Sequence, residues 1–208
     1  MNVPRSLSIV LLLSLSGLLS FVSPAFAADD GLDDVKMPRL RDALRESEVL
    51  AQAWFRLRAG DVVGARRDLQ AFVREEPRDP DALHLYGLAA AASGKRHQAQ
   101  RVLAKSLRIR PDGWVALHLV NLHLDAGRLR AATRVIAKQA NVLDDDPELL
   151  LARAYLHVAE EDFAAAQALL EELEERQRSA ASAAQLAVVL MASGEAEEAA
   201  GALGQAVE

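Results

Sequence analysis

Residues 86–100 read YGLAAAASGKRHQAQ, and the Ser93-Gly94-Lys95 step inside them could in principle cradle a phosphate. A phosphate loop needs a Gly, four residues, then Gly-Lys followed by Ser or Thr to reach the metal. Here Ala89 stands five before Gly94, Arg96 follows Lys95, and no strand-like run precedes them. The nucleotide reading fails on spacing and on context. The five histidines, His84, His97, His118, His123 and His157, form no HExxH and no one-turn pair with a carboxylate to complete a metal set. Carboxylates crowd residues 171–175, but spread around one helix they read as a solvated face. No Ser sits in an elbow motif that would aim it at a base. The chain is expected to be a non-enzyme with no metal and no cofactor.

What then placed Gly94? The turn residues Gly60, Gly94, Gly127, Glu161 and Gly194 recur every 33 or 34 positions. Five beyond each stands an alanine: Ala65, Ala99, Ala132, Ala166, Ala199. Four further on come Leu69, Leu103, Ile136, Leu170 and Leu203. Seven before each turn residue lies Ala53, Gly87, Val120, Ala154 or Ala187. Between turns the apolar spacing is three or four, the helical period. Each unit therefore reads as two helices joined by a tight turn, with glycine closing the first in the left-handed conformation. The small residues mark where the two helices cross, since bulk there would hold the backbones apart. Pro77 and Pro111 end the second helices of their units.

Composition agrees. The 208 residues are 51% hydrophobic but only 4% aromatic, so Ala and Leu carry the apolar content, as suits closely packed helices. The first residues are a different material. One positive charge, an uncharged run over residues 7–22 and Ala25-Phe26-Ala27 are the three parts of a secretory signal, and the run is short of the roughly 20 residues that span a bilayer. Residues 1–27 are read as a cleaved signal peptide, 28–37 as a flexible linker and 38–208 as the repeat domain, with units near 46–79, 80–112, 113–146, 147–179 and 180–208. There is no Cys, which excludes disulfides and lipoprotein modification. Arg outnumbers Lys twenty to four, a GC-rich bacterial bias, so the expected destination is the periplasm, with secretion as the alternative. No stable membrane insertion is expected after cleavage.

The columns resemble the tetratricopeptide repeat family, most closely at Leu83, Tyr86, Gly87, Ala90, Gly94, Ala99, Leu103 and Pro111, and the resemblance covers residues 46–208. It implies an all-α fold, a right-handed α-solenoid of about five helix-turn-helix repeats. In this family the first helix of each unit lines a groove. Carried onto this chain, the partner-binding strip includes Leu50, Trp54, His84, Leu88, Leu117, Asn121, Leu151 and Tyr155. Some of these must only pack between neighbouring helices; the sharper reading gives Trp54 and Tyr155 more area than packing needs. Where carboxylate-clamping members carry Lys, this strip has Leu50, His84, Leu117, Leu151 and Ala184, so acidic tails are not its expected ligand.

Departures from the pattern carry expectations too. Gln52 and Arg56 replace apolar residues in the first unit, as suits an end repeat, and residues 38–45 are expected to lengthen its first helix and partly cover it. Arg153 and His157 stand on the fourth unit's apolar stripe, beside the acidic loop 144–146 that could pair with them. The last helix, near 196–207, has Leu203 and Val207 with no capping helix after it, which suggests self-association through the C-terminal repeat. Residues 36–110 carry net +7 and residues 111–208 net −10, but the basic half lacks interleaved aromatics, so nucleic acid is not an expected partner. The resulting expectation is a non-catalytic periplasmic scaffold that binds another envelope protein, in secretion, pilus, exopolysaccharide or cytochrome-maturation assembly. A small-molecule or glycan carrier using the groove as a pocket is the alternative.

Overall fold

The computed structural model describes residue 32 and residues 35–143, 145–176, 180–195 and 198–201. The expected signal peptide lies outside the described residues, as do Leu203 and Val207. Among the described residues these helices follow one another: α1 Pro38–Glu46, α2 Glu48–Arg58, α3 Val62–Glu75, α4 Pro80–Ala92, α5 Arg96–Ile109, α6 Gly113–Leu124, α7 Leu129–Ala140, α8 Pro147–Ala159, α9 Phe163–Arg176 and α10 Ala180–Ser193. Residues 198–201 are helical as well, and no strand occurs among the described residues.

The helix starts are set by short polar side chains that accept hydrogen bonds from otherwise unpaired N–H groups. Ser47 receives the amide of Leu50, Asp79 those of Asp81 and Ala82, and Asp146 those of Glu148 and Leu149. Asp112 does the same for Val115 at the start of α6. Pro80 and Pro147 follow their caps, where a missing N–H costs nothing. The second helices α3 and α9 begin on Asp61 and Asp162 in the same manner.

The helix ends repeat still more strictly. Gly60, Gly94, Gly127 and Gly194 all have positive φ, and Glu161 holds the same conformation at φ 63°. The next amide then reaches back five residues to a carbonyl: Asp61 to Arg56, Lys95 to Ala90, Arg128 to His123, Asp162 to His157 and Glu195 to Leu190, at 2.8–2.9 Å. Gly94 is a helix terminator, not a phosphate loop. Ala65, Ala99, Ala132 and Ala166 are completely buried and Ala199 nearly so, which is the crossing column read from the sequence. Gly87 shows why the column is small. A Cβ built there would lie 2.5 Å from Leu103 Cδ2, inside any tolerable contact.

The chain divides into two compact units, with the boundary between Leu122 and His123. In the N-terminal unit α3 packs against both α2 and α4, and α5 against α4. Gln100 of α5 donates to the Leu122 carbonyl of α6, and Ser106 donates to the Pro80 carbonyl. First helices α2 and α4 also touch each other. In the C-terminal unit α9 packs on α8 and on α10, and α7 on α8. The fold class is an all-α helical repeat solenoid.

Two expectations about the N-terminus change. Residues 38–46 do not lengthen the first helix: Ser47 is extended, at φ −125° and ψ 110°, and separates α1 from α2. Serine preceding Glu48 is an N-cap signal, so the second helix starts afresh. The segment expected to be a flexible linker contains Leu32, Val35 and Met37, buried to 6%, 2% and 2% exposure.

Candidate functional site

The residues on which a partner was expected lie on first helices, those of α2, α4 and α6 in the N-terminal unit and those of α8 in the C-terminal unit. Leu50 and Trp54 on α2 are buried, at 1% and 4% exposure. They belong to one apolar cluster with Leu32, Val35, Met37, Leu40 and Leu44 from the segment before them, and with Ala82, Leu85, Tyr86 and Ala89 of α4. Trp54 is therefore spent on packing. Tyr155 on α8, 2% exposed, is equally enclosed, and burial pushes its phenol pKa upward. Leu88 and Leu117 are buried with a small residual exposure. Asn121 is 9% exposed, and its Oδ1 has no hydrogen-bond partner among the described residues. Leu151 is the half-buried member of the strip.

His84 and His118 meet. Nε2 of His84 lies 3.0 Å from Nδ1 of His118, with ring centroids 5.2 Å apart, so one ring donates its N–H to the other's lone pair. Trp114 flanks the pair, 6.1 Å from His118. Burial, and after it the Arg110 charge, pulls the His84 pKa down to about 3. For His118 burial again leads, with His84 adding to it and Asp112 opposing, and the pKa also falls to about 3. Both imidazoles are neutral at pH 7. Removing a cation from water costs more than one ring can return to the other. Beside them Arg110 pairs with Asp81, whose own pKa is raised by burial against the lowering effect of that arginine.

A search of the histidines for ligand motifs misses this pair. The signal is nevertheless present, because 84 and 118 are 34 apart, one repeat length, and so occupy the same column. No group of three or more His, Cys, Asp or Glu able to hold a metal occurs among the described residues. On α8, Arg153 and His157 are half-buried. His157 Nδ1 lies 3.8 and 3.7 Å from the carboxylates of Glu160 and Asp162, just past its own helix end. Asp145 of the acidic loop pairs instead with Arg176 of α9, at 3.2 Å.

No family model matches the sequence, and no curated protein does. Solved structures do resemble it. MamA from Desulfovibrio magneticus RS-1, residues 41 to the end, is 18% identical, with 76% of this chain and 91% of that one covered and a TM-score of 0.57. TTC0263, a thermophilic TPR protein of Thermus thermophilus, is 17% identical over 77% of this chain and 89% of that one, with a TM-score of 0.68. The APC/C hetero-tetramer Cut9-Hcn1 supplies a chain 16% identical, covering 96% of this chain and 43% of that one, with a TM-score of 0.66. Column by column and helix by helix, this chain has the fold of a tetratricopeptide-repeat protein.

Proposed function

We propose that this protein is a non-catalytic adaptor that holds another cell-envelope protein against the first helices of its repeats, after export to the periplasm. The observation that carries the reading is how the chemically able side chains are employed. Asp79, Asp112 and Asp146 cap helices, Arg110 pairs with Asp81, and His84 and His118 face each other in the interior. What is left for function is surface shape, and repeat stacks present long surfaces built from neighbouring units. One similar solved chain sits in a hetero-tetramer, which supports a binding role. The glycan-carrier alternative is weakened, because Trp54 and Tyr155 are buried and only Trp114 remains half-exposed as a stacking platform. Assembly of a secretion, pilus, exopolysaccharide or cytochrome-maturation machine is the setting this reading favours.

The test is site-specific photo-crosslinking in cells, with the reactive residue at Leu151 on the first-helix strip or at Val63, which is 69% exposed on a second helix. A discrete crosslinked partner from position 151 alone is expected. Crosslinks from position 63 alone would overturn the assignment of the face. Fractionation decides export, with mature protein beginning at Ala28 in the periplasmic extract as the expected result.

A further inference from the structure

The segment before the first repeat packs on the helices of the first two repeats. Leu32, Val35, Met37, Leu40 and Leu44 are all at most 6% exposed. They close one cluster with side chains of α2 and α4 and with Leu69 of α3, and α1 packs on both α2 and α4. A helix that only extended the layer of second helices would meet α2 and stop. This one packs on the first helices α2 and α4, and at its start Arg39 donates to the Pro111 carbonyl at 2.9 Å, with its guanidinium 3.6 Å from the Asp112 carboxylate. The strap thus runs from the first repeat to the entrance of α6. It is amphipathic: Leu40 and Leu44, one turn apart, point in, while Arg39, Asp42, Arg45 and Glu46 are exposed.

Nine residues are too few to hold a helix alone in water, so α1 is helical because the face supports it. Its N-cap, Met37, makes no side-chain capping bond. The extended residue Ser47 uncouples it from α2, and the Arg39 latch is 55% exposed.

We propose that the strap is a displaceable resident of a docking face on the first helices, and that the face's ligand in trans is an amphipathic segment of another protein that repeats the strap's chemistry. This rests on the adaptor reading above. The ligand carries apolar residues where Leu32, Val35 and Met37 sit, then two leucines one turn apart, preceded by a cation to meet Asp112. Such segments dock an apolar helical face into a groove through side chains one turn apart. Binding must first remove the strap, so the apparent affinity of the full chain is lowered by the fraction of molecules whose face is open.

The experiment compares the full chain with its Leu40→Asp/Leu44→Asp variant, using a fluorescein-labelled peptide of residues 32–46 and fluorescence anisotropy. The variant, its melting still cooperative, is expected to bind the peptide at least about tenfold more tightly than the parent. A peptide carrying both aspartates should not bind either protein. A folded variant that binds no more tightly than the parent overturns the proposal, since the strap would then be an inseparable part of the core. If the double variant does not melt cooperatively, Arg39→Ala decides: a two- to threefold gain in peptide affinity supports displacement and an unchanged affinity overturns it. The peptide comes from this chain, so the outcome is separable from the adaptor reading. Peptide binding without a crosslink at position 151 would retain the strap and sink the adaptor.

Discussion

Helices α4 and α8 occupy equivalent places, each the first helix of its repeat and each opening on Asp-Pro, yet they are buried differently. In α4 every residue from Ala82 to Ala90 is buried, the polar His84 included. In α8 Leu151, Arg153 and His157 are half-exposed between buried neighbours. The difference lies in what surrounds each. Helix α4 is enclosed by α3, α5, α2 and the N-terminal strap, so it needs no polar face. Helix α8 is packed by α7 and α9 within its unit, and its sequence keeps charged groups on the turn that they leave open. A repeat position therefore specifies which side of a helix is packed by its own unit. The remaining side is decided by whatever else the chain folds onto it.

Acid should break this comparison most strongly. Folded His84 and His118 have pKa values near 3, against about 6.5 for an unfolded histidine. Between those values the unfolded chain binds more protons, so stability rises with pH and is lost as pH falls from 6.5 toward 3. Each ring contributes up to roughly 1.4 kcal/mol per pH unit in that window. Urea unfolding at pH 7 and pH 5 should therefore differ by several kcal/mol, and His84→Leu/His118→Leu should flatten most of that difference. An unchanged pH slope in the double variant would show that the pair does not titrate on unfolding.

Truncation tests the same contrast by packing. Leu85→Ala on α4 should cost about 2–5 kcal/mol, whereas Leu151→Ala on α8 should cost under about 1, because only the first leaves an enclosed cavity. Chemical denaturation of each variant reads the two values, and equal costs would sink the account. Overpacking asks where the units agree instead. Ala99→Leu and Ala166→Leu, both at fully buried crossings, should each cost about 1–3 kcal/mol. Thermal melts within a degree or two of the parent would show the register to be wrong.

The smallest effect is a gain. Glu161 is the turn residue that departs from glycine, and it holds φ 63° without glycine's freedom. Glu161→Gly should raise stability by about 1 kcal/mol, read as a higher melting temperature. The matching Gly127→Ala, at φ 67°, should lose a similar amount.

The turn residues are legible in the sequence because each is set within its own unit. A left-handed residue, a 6→1 hydrogen bond and a small side chain at the crossing recur whenever two helices meet in this way, so a period of 33 or 34 exposes them. The strip residues on first helices can also be located by period, but not their burial. Trp54 reads as free for a ligand because the repeat pattern says nothing of the non-repeating residues before it, and those residues supply its cover. The histidine pair shares a column, yet only proximity reveals that two rings one repeat apart hydrogen-bond instead of facing water. By itself the sequence determined the helices of the repeats, their turns and the small residues at their crossings, all consequences of chain-local sterics and hydrogen bonding. Only the tertiary structure decided which faces stay open, because burial depends on segments far apart in the chain meeting across the layer of first helices.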